Sequence, residues 1–155
     1  MTVTTVDVEL ARLLEPMAPR PDLRLAAVRC LADAGLKVVV GCAPVMPLIN
    51  DSEASLDALA RAAAATGAAA LWANVLFLKP CAYQVFLPFL EERFPELVRK
   101  HRERYDRSAY LRGAYPEMIQ ERVEAIRKRH GLDRKSELPE PELWPHDPQI
   151  HLFEP

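Results

Sequence analysis

The sequence predicts an α/β fold of three parallel strands with flanking helices, followed by a helical C-terminal extension. Three observations carry this expectation. Apolar or β-branched runs stand at residues 2–6, 36–40 and 70–78, and segments with helical spacing of apolar residues lie between them. Beyond residue 82 only helical spacing recurs. Strand, helix, strand, helix, strand in that order implies a parallel sheet with right-handed crossovers.

Each element has a local cause. Thr2 to Val6 is a β-branched run suited to a pleated surface. Asp7 suits the cap of a helix with Glu9 in its first turn and Leu10, Leu13 and Leu14 on one face. Pro16, Pro19 and Pro21 interrupt it, since each lacks an N–H and restricts the residue before it. Leu25, Val28, Cys30 and Leu31 begin a second stripe that stops at Gly35. Residues 36–40 are continuously apolar apart from Lys37, as a strand covered on both faces would be. A loop is expected over 41–51, with Asp51 or Ser52 capping an alanine-rich helix whose buried side holds Leu56, Leu59, Ala60, Ala63 and Ala64. Gly67 ends that helix, and Lys79-Pro80 stops the third strand. Phe86, Phe89, Leu90 and Phe94 share one side of the next helical stretch, where Pro88 predicts a kink or a restart. The last helix is expected from about Pro116 to His130, with Gly131 beyond it.

Composition bounds the rest. The chain has 155 residues, 27% of them charged, and a net charge of −2, which is a globular composition with no polyanion-seeking excess. No run approaches the ~18 apolar residues of a membrane span, and Asp7 and Glu9 stand where a secretory signal would be basic. Cys30, Cys42 and Cys81 are odd in number and widely spaced, unlike a disulfide framework, which suggests a cytoplasmic protein, and Cys42 and Cys81 read as small buried hydrophobes. Charge divides the chain into three: an apolar part at 1–80, a charged helical part at 81–130 and a proline-punctuated acidic tail at 131–155. Residues 91–130 carry 11 Lys/Arg against 8 Asp/Glu, whereas 131–155 carry 2 against 6 and hold five prolines.

Ligands of parallel α/β proteins bind at the carboxyl ends of the strands. Of the segments leaving those ends, 41–51 is the most informative: Gly41, Pro44 and Pro47 fix an open backbone, and Asn50 and Asp51 set polar groups at a helix start. The plainer reading, which the sequence alone favours, is an ordinary connection in which Asp51 caps a helix. Glu15 is either a carboxylate at the sheet rim or a solvated helix end. His146 and His151 flank Asp147 and suit solvent better than a metal. The basic run from Arg99 to Arg104, with Tyr105, Tyr110 and Tyr115 nearby, suits nucleic-acid phosphates and bases, but its interleaved glutamates fit the wet face of a helix better. None of the HExxH, CxxC, GxSxG or phosphate-cradling glycine motifs is present.

The order of these pieces resembles a family. Thr4-Thr5 leading to Leu14-Glu15-Pro16, then Arg24-Leu25-Ala26-Ala27-Val28, Ala34-Gly35, and a strand running into Ala43-Pro44-Val45-Met46-Pro47-Leu48-Ile49-Asn50-Asp51, is similar to the second half of a radical SAM enzyme core. The likeness is to the DNA-repair-photolyase or spore-photoproduct-lyase-like branch and covers roughly residues 2–130. It implies a partial (β/α) barrel whose strand ends hold S-adenosylmethionine beside a [4Fe–4S] cluster. It matches Thr4, Thr5 and Glu15 to groups near the ribose and methionine. Pro44, Val45 and Met46, with Asn50 and Asp51, match those near adenine and methionine, and Leu76 to Leu78 match backbone near adenine. The complete enzyme of such a family is a lyase acting by a 5′-deoxyadenosyl radical, with a nucleic-acid lesion as a possible substrate.

One departure weighs on activity. The CxxxCxxC motif that holds the family's cluster is absent, and the three cysteines are too far apart in sequence to replace it. The resemblance therefore implies a piece inactive on its own, with Met1 where the fourth strand would begin. Open strand edges at 2–6 and 71–78 further predict self-association or a missing N-terminal half-barrel as partner. The competing expectations are a non-catalytic α/β interaction module and a nucleic-acid-binding helical protein.

Overall fold

The computed structural model describes residues 1–106 and 108–133, so the acidic tail from residue 134 on, with His146, Asp147 and His151, lies outside the described residues. Six α-helices surround a two-stranded parallel sheet. They are α1 Val8–Leu14, α2 Pro21–Asp33, α3 Glu53–Ala65, α4 Pro80–Arg93, α5 Val98–Tyr105 and α6 Ala114–Arg129, with a 3₁₀ turn at Pro95–Leu97. The strands are β1 Val39–Val45 and β2 Ala70–Val75.

This corrects the expected three-stranded partial barrel. Residues 1–3 form no strand and meet β1 through one parallel bridge between Thr2 and Gly41, in which the Val3 N–H donates to Gly41 O and the Gly41 N–H to Met1 O, both at 2.9 Å, and through the Met1 amine, which donates to Val39 O at 2.9 Å. The β-branched run stops being a strand because its hydroxyls find local partners. Thr5 Oγ1 accepts from the Asp7 N–H at 3.1 Å, and the Thr4 hydroxyl donates to Glu15. Two strands and one bridge have no geometry that closes a barrel.

Strand β1 begins and ends later than its apolar run suggests. It passes through Cys42, Ala43 and Pro44, which the sequence assigns to a loop. Its register with β2 is regular from Val39↔Ala70 to Cys42↔Ala73, then slips before Val45↔Val75. Pro44, preceded by a cis peptide bond, sits in that slip, where a bulge leaves a residue unpaired and a missing N–H costs nothing. Gly41 has a steric reason: a Cβ there would lie 2.6 Å from the Trp72 ring, which covers it from the neighbouring strand.

The main core joins Val40, Cys42 and Val45 of β1 to Leu56, Leu59, Ala60 and Ala63 of α3 and to Ile119, Val123 and Ile126 of α6, with Val28 of α2 beneath. The α3 stripe is the one its spacing predicts. Its cap is Ser52, whose Oγ accepts from the Ser55 N–H, rather than Asp51. Asp7 caps α1 as expected, accepting from Glu9 and Leu10. Helix α4 runs on through Pro88 without restarting; both Pro88 and Gln84, whose carbonyl would lose its bond, face solvent.

Candidate functional site at the strand ends

Where β1 and β2 end, the chain encloses an apolar groove of about 460 Å³. One side is the corner from Thr4 to Glu15 and Pro16, the floor is Pro44 with Met46, and the β2 side is Leu76 to Leu78. The far wall is α4, through Ala82, Val85, Phe86 and Phe89. A larger cavity of about 510 Å³ lies along β2 against α6 and meets the groove at Leu76 and Phe77.

The groove has one polar corner. Glu15 closes α1, which directs its side chain back toward the first residues. Its Oε2 accepts from the Thr4 hydroxyl at 2.8 Å and pairs with Arg24 Nη1 at 3.2 Å. Arg24 is fixed in turn, donating to Pro19 O at 2.9 Å and Thr2 O at 3.0 Å. Arg24 also donates to Oε1, from Nη2 at 3.3 Å and Nη1 at 3.4 Å, so the carboxylate is held as a fixed negative charge at the groove's corner.

Six of the ten positions singled out from sequence meet here: Thr4, Glu15, Pro44, Met46, Leu76 and Leu78. The other four have structural places. Thr5 is buried and caps the turn before α1. Val45 is in the core. Asn50 is 1% exposed and ties three segments together, accepting from the Met46 N–H at 2.6 Å and donating to Thr4 O at 3.0 Å and Pro44 O at 3.1 Å. Asp51 accepts from the Tyr115 hydroxyl at 2.8 Å, while its carbonyl receives Arg122.

The α4 wall carries no polar chemistry, so it was legible in the sequence only as an aromatic helical face. A polar layer behind it was misread. His101 and Tyr105, one helical turn apart on α5, are buried rather than solvated. The Tyr105 hydroxyl donates to Leu76 O at 2.8 Å, anchoring α5 to the end of β2. Burial holds the Tyr105 and Tyr115 hydroxyls far above the usual tyrosine range, with the Asp51 carboxylate adding to the effect at Tyr115. The flanking Arg99–Glu103 and Arg102–Glu91 pairs are exposed, as the sequence predicts for a wet face.

His101 sits between the rings of Phe86 and Tyr105, with Nδ1 3.1 Å from Leu97 O. A carbonyl only accepts, so Nδ1 carries the proton and Nε2 is bare; Nε2 has no partner among the described residues. Desolvation lowers its pKa, Arg104 lowers it further, and the Leu97 carbonyl and Asp51 oppose the change. With a folded pKa below the unfolded ~6.5, the stability contributed by the neutral ring is complete above that pH. It is lost as pH falls through the folded value. Urea unfolding at pH 7.5 and at pH 5.5 is expected to show a loss of stability in acid that His101→Phe reduces. An equal loss in the variant would mean that His101 contributes nothing to it.

The cysteines divide by exposure. Cys42 is buried as expected, with its thiol pushed up to about 12 by desolvation, whereas Cys30 and Cys81 are exposed, which corrects the expectation for Cys81. Among the described residues no three His, Cys, Asp or Glu side chains stand together as a metal would require. Nor is any helix there long and apolar enough to cross a membrane.

The chain is 38% identical over 149 residues to uncharacterized proteins of Mycobacterium bovis and Mycobacterium tuberculosis. The match takes in 95% of this chain but spans only 44% of the length of those curated relatives. No protein-family model and no solved structure matches it.

Proposed function

We propose that the strand-end groove binds the adenosyl and methionine parts of S-adenosylmethionine, and that the chain is the cofactor-holding C-terminal part of a radical SAM enzyme of the photolyase-like branch. The observation that supports this most is convergence: positions as far apart as Thr4 and Leu78, singled out by resemblance alone, line one groove. The chemistry suits the ligand. Phe86, Phe89 and the Met46 thioether offer an apolar surface for a purine. Glu15 sets a negative charge near the ligand's positive centre, and the Thr4 hydroxyl, which donates to Glu15, keeps its acceptor side for a ribose hydroxyl.

The [4Fe–4S] cluster does not fit the described residues: Cys42 is buried and held as a thiol, and Cys30 and Cys81 belong to no metal-binding group. Reductive cleavage of the bound cofactor is chemistry that the cluster and cofactor supply together. This chain's residues bind, orient and exclude water. The cluster ligands then belong to a partner segment, and a nucleic-acid substrate would be read partly there. Free cysteines agree with a cytoplasmic setting.

Titration of the chain with S-adenosylmethionine, followed calorimetrically, tests the proposal. Saturable binding is expected, weakened about tenfold by Glu15→Gln, which keeps the side chain's shape and removes its charge. Ala82→Trp, at an exposed position of α4, is expected to fill the groove and abolish binding with the fold intact. No saturable binding, or binding that neither variant alters, would overturn it.

A further inference from the structure

The basic run that continues into the tyrosines is only partly accounted for by a wet helix face. Arg99 and Arg102 of α5 are both paired with glutamates. Arg104 on the same helix has no carboxylate or hydrogen-bond acceptor among the described residues, although its Nη1 is closed off from solvent. Its guanidinium carbon lies over the Tyr115 ring, 4.9 Å from its centre, so the cation is placed on an aromatic face. Tyr115 is itself fixed, its hydroxyl donating to Asp51.

Around Arg104 is a surface pocket of about 310 Å³ lined by Ser108, Tyr110, Leu111, Arg112 and Tyr115. Arg112 is exposed and, like Arg104, has no ion-pair partner among the described residues. Two unpaired guanidinium groups and a hydroxyl facing one concavity match a tetrahedral oxyanion. The Tyr110 ring stacks on Phe77 at 5.4 Å, and both rings are partly exposed, forming a flat platform at the pocket's edge. Of the carboxylates nearest Arg104 in sequence, Glu103 is paired with Arg99 and Asp106 is exposed, and neither lines the pocket.

We infer that this pocket is a phosphate subsite, taking a phosphate ester whose attached planar ring stacks against the Phe77–Tyr110 platform. The ligand class is nucleotide-like, free or within a strand. The phosphate pocket shares no residue with the groove, so phosphate binding there stands whether or not S-adenosylmethionine binds, although Phe77 of the platform also lines the groove.

NMR of the arginine Nε–H signals of the whole chain, titrated with inorganic phosphate at constant ionic strength, tests it. Saturable shifts are expected at Arg104 and Arg112 with phosphate and not with chloride. Uridine monophosphate is expected to bind about tenfold more tightly than phosphate, by the ~1–1.5 kcal/mol of one ring stack. A short oligouridylate that binds more tightly still would place the phosphate in a strand; equal affinity would point to a free nucleotide. Arg112→Gln, at an exposed position, is expected to weaken phosphate about tenfold with an unchanged melting temperature, and Arg104→Gln to abolish the shifts. Equal responses to phosphate and chloride, uridine monophosphate no tighter than phosphate, or undiminished shifts in Arg112→Gln would overturn the inference.

Discussion

Asn50→Ala is expected to lower the stability of the chain by about 3 kcal/mol, the largest loss from any single polar side chain described above. The side chain is buried, and all three of its bonds go to backbone groups of other segments: the Met46 N–H, Thr4 O and Pro44 O. Truncation leaves those groups short of partners where water does not reach, at about 1–3 kcal/mol for each group left unsatisfied. For a chain of this size the loss is a fall of roughly 10 °C in melting temperature. Asn50→Asp separates the contributions. It keeps the acceptor for Met46 but turns a second oxygen toward the two carbonyls, so it is expected to be as harmful at neutral pH and milder once protonated. Denaturant melts of the three proteins decide; a loss under about 1 kcal/mol for Asn50→Ala would mean that the three segments hold together without it.

Asn50 also shows where sequence reasoning stops. Its position before a helix suggested a ligand-facing amide, yet the same polar atoms serve to fasten the floor of the groove to its Thr4 corner. Short-range signals were readable, as at Asp7, Gly35 and Gly67 and in the Leu56–Leu59–Ala60–Ala63 stripe, because each depends on groups within a turn or two. Gly35 and Gly67 both adopt the positive φ that ends a helix. What could not be read depended on a distant partner. Pro44 reads as part of an open loop because the slip in register against β2 that accommodates it in a strand is set by Ala73 and Val75, far along the chain. The Thr2–Thr5 run has strand propensity, but Glu15 and Asp7 compete for its hydroxyls. In the basic run, the charges outnumber His101 and Tyr105 and mask their spacing of four. Only the Leu76 carbonyl and the Phe86 ring, both contributed from elsewhere, explain why that face turns inward.

The second large effect is expected at Leu90, which is fully buried in α4 yet lies outside the main core cluster. It is closed off together with Leu97, His101 and Tyr105, on elements that pack against one another: α4, the 3₁₀ turn and α5. Leu90→Ala removes three carbons from this smaller core and is expected to cost about 3 kcal/mol, transfer and cavity terms together. The loss should be local. The bonds that carry this unit onto the sheet include Tyr105 to Leu76 O and the Leu78 N–H to Ala109 O, both at 2.8 Å, whereas β1, α3 and α6 share a core without Leu90. Hydrogen exchange is therefore expected to show reduced protection in α4 and α5 and near-native protection in β1 and α3. Because Phe86 and Phe89 reach the groove from α4, ligand affinity should fall with that protection although Leu90 does not line the groove. Uniform loss of protection through every element would instead make the molecule one cooperative unit, with its groove wall no more separable than its core.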